Sequence, residues 1–181
     1  MEEWQKRGRL VELCKTLTAQ GARTLVFCET KRGCEDICTA LRGERITAVA
    51  LHGDKQQQER DFALAEFKSG RAPLLVATDV ASRGLDVKGI TFVINYDMTK
   101  DIEDYIHRIG RTGRKTNEGY NEGTSITFFT SANGHIAGKL ADTIREAGQE
   151  VPPQLLQMGS SGGGGGGRNR YGGGGGGRGR F

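Results

Sequence analysis

Between residues 23 and 130, short apolar and β-branched runs alternate with stretches whose apolar positions recur at helical spacing. The runs are 24–28, 46–51, 74–77, 91–95 and 125–129. Amphipathic stretches such as 31–41 and 56–68 separate the early ones, and Phe62, Leu64, Ala65 and Phe67 are the candidate buried positions of the second stretch. A helix before the first run is marked by Leu10, Leu13 and Leu17 and ends near Gly21. Another is expected from about 131 to 148, after which Pro152 and Pro153 close the regular part. This alternation predicts an α/β domain of three layers, with a mostly parallel central sheet and right-handed crossovers.

After Gly159 the composition changes to glycine with scattered arginine, two serines, one Asn, one Tyr and one Phe. Such a segment cannot bury enough apolar surface to fold, so residues 1–158 are expected to form one domain and 159–181 a disordered tail. The chain's 181 residues are enough for one full core. Charge follows the same boundary. No acidic residue lies after Glu150, and setting aside Arg168, Arg170, Arg178 and Arg180 leaves 22 basic against 22 acidic side chains. Any nucleic-acid binding by the folded part must rest on locally placed groups, since it has no bulk positive field.

Cys14, Cys28, Cys34 and Cys38 form no CxxC pair and have no His at finger spacing. They read as buried, reduced structural thiols and place the chain inside the cell, in nucleus and/or cytoplasm. No apolar run reaches membrane-spanning length and no signal-peptide pattern opens the chain, so no membrane partner is expected.

Ligands of an open parallel sheet gather beyond the carboxyl ends of its strands. There the sequence reads CETKR (28–32), HGDK (52–55) and TDVASRGLD (78–86), a convergence of hydroxyls, guanidiniums, carboxylates and glycines suited to phosphate and sugar contacts. Singly, Thr30, Asp54 and Asp79 are also good helix caps or turn residues. A further segment, YIHRIGRTGR (105–114), spaces His107, Arg111 and Arg114 at steps of four and three, one stripe if helical geometry persists. Gly110 and Gly113 would admit a close surface, and a guanidinium fork suits an oxyanion that gains charge during reaction. Arg111 and Arg114 alone could equally complement a helix C-terminus, though that reading leaves the glycines unexplained.

TLVFCETK (24–31), LHGDKQQQER (51–60), LLVATDVASRGLDV (74–87) and HRIGRTGR (107–114) resemble, in order and spacing, the motifs of the second RecA-like domain of DEAD-box RNA helicases. The resemblance spans about residues 3–148, and the glycine-rich, arginine-bearing tail is similar to those of several family members. It implies a RecA-like fold and an ATP-dependent RNA helicase, a nucleoside-triphosphate hydrolase. By the same resemblance Arg111 and Arg114 are the arginine fingers toward the ATP γ-phosphate, Gly84 and Asp86 meet the nucleotide sugar, and His107 couples the two sites. Thr30, Gly53, Arg60, Thr78 and Arg83 resemble the RNA-backbone contacts, with Lys31 and Asp79 as neighbours of less defined role. In the tail, Arg168, Arg170, Tyr171, Arg178 and Arg180 combine phosphate-neutralising charge with base stacking.

The sequence holds no GxxxxGK[ST] phosphate loop and no Asp-Glu-Ala-Asp run; residues 134–139 come nearest to the loop, but the spacing is short and Leu140 follows where a hydroxyl is required. The family places both motifs in a preceding domain. The resemblance therefore implies an excised half, monomeric, inactive by itself, without a metal ligand of its own, with ATP and magnesium held mainly by an N-terminal RecA-like partner domain. Two other readings stand beside it: a non-catalytic RNA-binding or adaptor module, and the matching domain of a DNA helicase.

Overall fold

The computed structural model describes residues 1–85, 87–113, 115, 116, 119, 120 and 122–161. Five strands, β1 (Thr24–Phe27), β2 (Ala48–Leu51), β3 (Leu74–Ala77), β4 (Phe92–Asn95) and β7 (Thr124–Thr127), form a parallel sheet in the order β2-β3-β1-β4-β7. β5 (Lys115–Thr116) and β6 (Gly119–Tyr120) make a separate antiparallel pair. The register brings Leu51, Ala77, Phe27, Asn95 and Thr127 level in one row. Every chain segment that leaves this row therefore emerges at the same edge of the sheet.

Alternate residues of the strands face opposite layers, as the pleat requires. Val26, Leu74, Val76 and Ile94 pack with Leu10, Cys14 and Leu17 of α1 (Lys6–Ala19) and with Cys34, Ile37, Cys38 and Leu41 of α2 (Lys31–Gly43). Leu25, Phe27, Leu75, Ala77 and Val93 pack instead with Phe67 of α3 (Gln57–Ser69) and Ala81 of α4 (Asp79–Ser82). A third cluster joins Tyr105 of α5 (Ile102–Ile109), Leu140 and Ala141 of α6 (Ala137–Glu146) and Leu155 of α7 (Pro153–Ser161). The expected three layers and parallel sheet are present, and all four cysteines are free and buried.

Local chemistry fixes the helix ends. The Thr30 hydroxyl accepts the Gly33 N–H at 2.9 Å and caps α2, while Glu59 reaches back to the Gln56 N–H at 2.8 Å to cap α3. α3 stops at Gly70, whose φ of 80° lies in the left-handed region that favours glycine.

Three expectations change. Phe62 is 64% exposed and Ala65 is also exposed; the inward face of α3 is Ala63, half-buried Leu64 and Phe67, the set that a 3.6-residue period brings onto one stripe. The 131–148 segment is a 3₁₀ turn, Ser131–Ile136, followed by α6. Pro153 opens α7 where it was expected to close the fold, because proline fits the first turn of a helix, whose N–H groups have no partner within the helix. Among the described residues, no helix is long and apolar enough to cross a membrane.

Candidate functional site

Because the strands are parallel, the segments after β1, β2, β3 and β4 all meet at the carboxyl edge. After β3, buried Thr78 donates its N–H to the Leu51 carbonyl at 3.2 Å and begins α4. That short helix is pinned by Ser82, whose hydroxyl donates to the Asp79 carbonyl at 2.9 Å and whose N–H donates to the Thr78 carbonyl at 3.1 Å. Arg83 then turns outward, and Gly84 adopts φ 74°, a left-handed conformation that returns the chain toward the sheet.

A cleft of about 330 Å³ opens here, lined among others by Phe27, Asp79, Arg83, His107, Arg108 and Arg111. Its floor is organised by Arg108, only 3% exposed. Nε and Nη2 donate to Asp79 Oδ1 and Oδ2, each at 2.6 Å, in a parallel fork. Nη1 donates to Asn95 Oδ1 at 3.2 Å and to the Asp97 carbonyl at 2.6 Å, and the guanidinium lies 4.9 Å from the centre of the Phe27 ring. Asp97 is itself held by Lys6 at 2.6 Å and accepts the Glu29 N–H at 2.9 Å. Burial lowers the Lys6 pKa, but its bonds to Asp97 and Glu3 outweigh that and raise it above the ordinary 10.5.

α5 ends at Ile109, so Arg111 stands in the turn that follows and does not continue a helical stripe with His107. The turn is tight. The Gly110 N–H reaches the Ile106 carbonyl at 2.9 Å, the Arg111 N–H reaches the Arg108 carbonyl at 3.0 Å, and Gly113 has φ 64°. Buried Thr112 anchors it, donating its hydroxyl to the Ile90 carbonyl at 2.7 Å. The Arg111 guanidinium rests at 3.3 Å on the Leu85 carbonyl. The His107 side chain is 75% exposed, and Asp104 Oδ1 lies 4.0 Å from its Nδ1.

A second group lies between α2 and the loop after β2. Lys31 pairs with Asp54, and Glu35 accepts from Lys55 at 2.6 Å and lies 2.9 Å from His52 Nε2. The Lys55 hydrogen bond, joined by the weaker one from His52, holds the Glu35 carboxyl below its usual range. Gly53 lies between His52 and Asp54 of this group and capping Thr30 directly precedes its Lys31, and a β-carbon at Gly53 would meet Lys31 Cε at 3.7 Å, an ordinary contact. Arg60 is half-buried on α3, and its buried Nε has no hydrogen-bond partner among the described residues.

The structure thus brings Arg83, His107 and Arg111 to one cleft, sets Thr78 and Gly84 on the segment that forms its wall, and gathers Thr30 and Gly53 in the second group. Asp86, Arg114, Arg168, Arg170, Tyr171, Arg178 and Arg180 lie outside the described residues. Sequence reasoning passed over Arg108 and Thr112. Both stand inside HRIGRTGR, but only the fold reveals that Arg108 points inward to Asp79 and Thr112 to the strand edge.

A five-stranded parallel sheet with helices on both faces and a guanidinium-lined cleft at its carboxyl edge defines a RecA-like α/β domain. Residues 5–116 match the family described as helicase conserved C-terminal domain, and the chain belongs to that family, within its DEAD-box RNA helicase branch. It is 53% identical over 158 residues to the ATP-dependent RNA helicase DBP2 of Meyerozyma guilliermondii, covering 87% of this chain and 28% of that protein. Among solved structures, the RNA helicase Prp28 of Chaetomium thermophilum bound to ADP superposes with a TM-score of 0.74 at 35% identity, covering 86% of this chain and 37% of that one. Escherichia coli DEAD-box protein SrmB, bound to regulator of ribonuclease activity A, gives 0.69 at 31% identity, covering 85% and 88%.

Proposed function

We propose that this chain is the second RecA-like half of an ATP-dependent RNA helicase, with Arg111 and Arg114 as its fingers and the other strand-end residues as half of a single-strand RNA track. The observation that carries this is the cleft in which Arg83 and Arg111 stand together, the latter fixed by a short turn and the Leu85 carbonyl. A guanidinium held in place before reaction neutralises charge that develops on a transferring phosphoryl group without reorganising. Gly84 and Asp86 would meet the sugar, and ATP supplies the phosphoanhydride. No phosphate-loop sequence occurs in the chain, so the phosphates and magnesium belong to an N-terminal RecA-like domain. The chemistry named for the DBP2 relative and the ADP of the Prp28 structure support the same substrates.

On the RNA side, Thr30, Gly53, Arg60, Thr78 and Arg83 offer hydroxyls, backbone and guanidiniums, groups that read phosphate and sugar and not base sequence. Among the described residues nothing crowds a side chain out of Gly53, and the bare backbone there leaves room for the close approach of a strand. Residues 1–158, with the end of α7 carrying the fold on to Ser161, act as the folded, monomeric half, and the rest of the 159–181 tail as an arginine-rich arm, within nucleus and/or cytoplasm, a setting consistent with four free thiols.

The test is RNA-stimulated ATP turnover. The purified chain alone is expected to show none, and joining it to the N-terminal domain to produce it. In the joined protein Arg111→Ala or Arg114→Ala lowers turnover by about 10³, on the scale of arginine fingers, with little change in thermal unfolding. Turnover near wild type with early melting would make these arginines structural and remove the assignment.

A further inference from the structure

One buried side chain joins the two faces of the candidate site. Asp79 follows Thr78 directly and opens the short helix that leads to Arg83; Arg108 grips both of its carboxylate oxygens at 2.6 Å. The carbonyl of the same Arg108 accepts the Arg111 N–H at 3.0 Å. Its Nη1 reaches Asn95 and the Asp97 carbonyl, at and just beyond the end of β4. We propose, resting on the function above, that Arg108 held by Asp79 is a positioning residue: it sets where the Arg111 guanidinium stands and ties that place to the Thr78–Arg83 segment.

Three features favour this over a role in stability alone. Arg108 is buried while the Asp79 side chain is 37% exposed, and an ion pair with one charge so desolvated contributes little net stability compared with well-packed apolar side chains, so its presence asks for another reason. The acceptors surround the guanidinium in directions that only a planar fork meets, and a lysine ammonium would satisfy few of them. The clamp acts three residues from Arg111 with a single tight turn between, so little slack intervenes. His107, to which the family resemblance gives the coupling role, is by contrast exposed.

The experiment uses the joined two-domain protein with Arg108→Lys, Asp79→Asn, Arg111→Ala and the Arg108→Lys/Arg111→Ala double variant, reading kcat, KM for ATP and thermal unfolding. Misplacing a finger by an ångström is expected to lower kcat by about 10² in Arg108→Lys, with KM within about twofold. Asp79→Asn follows in the same direction. With Arg111 already removed, Arg108→Lys is expected to lower kcat no further, since the group it positions is gone. An equal loss in both backgrounds, or a loss accounted for by the unfolded fraction, overturns the inference and leaves the fingers standing. If Arg111→Ala itself keeps full turnover, the finger assignment falls, and this inference with it.

Discussion

A thiol packed between helix and sheet has no water to stabilise its anion, so burial pushes Cys14 and Cys38 from the ordinary 9.0 up to about 12. Cys28 is raised too, by its hydrogen bond with Cys34 and then by burial. In the unfolded chain these thiols ionise near 9.0, while the folded chain keeps its protons. Their contribution is therefore complete below pH 9 and is lost as pH rises from about 9 toward 12, by at most about 1.4 kcal/mol per thiol per pH unit. Under reducing conditions the unfolding midpoint is expected to hold level to about pH 8.5 and then fall. Cys14→Ala/Cys38→Ala should flatten that fall; an unchanged alkaline slope would show that other groups cause it. The sequence announced four buried thiols, and their packing decides how strongly each resists ionisation.

α3 shows how far periodicity reaches. Its helical character and length are legible in residues 56–68, and so is Phe67 as an inward residue, because propensity and spacing are local properties. Which of two nearby phenylalanines faces the sheet depends on a rotation of the helix that only the opposing layer fixes. Phe67 is fully buried against Leu25, Leu75 and their neighbours, whereas Phe62 lies on the solvent side. Phe67→Ala is thus expected to lower stability by about 3–5 kcal/mol in denaturant unfolding, and Phe62→Ala by less than about 0.5 kcal/mol. Comparable losses would mean that the helix is turned otherwise. α5 carries the same lesson in reverse: a stripe of His107, Arg111 and Arg114 fits helical spacing, yet the helix stops at Ile109, where Gly110 and the anchored Thr112 turn the chain.

For the whole molecule, the uneven charge along the chain leads to a measurable expectation about the arm. Deleting residues 162–181 removes all four tail arginines while keeping α7, and single-strand RNA binding should weaken to a similar degree across unrelated sequences. Each lost phosphate contact flattens log K against log salt by about 0.7, so the slope should fall by at most ~3 units. Unchanged affinity and slope would make the arm a linker. The sequence by itself determined the α/β alternation, the parallel sheet, the motif segments and the charge boundary, because each is written in neighbouring residues or in composition. It could not decide the strand order β2-β3-β1-β4-β7, the cleft where segments 79–83 and 107–111 meet, or the inward turn of Arg108 onto Asp79, 29 positions away in the chain. Those depend on which distant groups the packed sheet brings within hydrogen-bonding distance, and a buried arginine finds its partners only once the layers have closed around it.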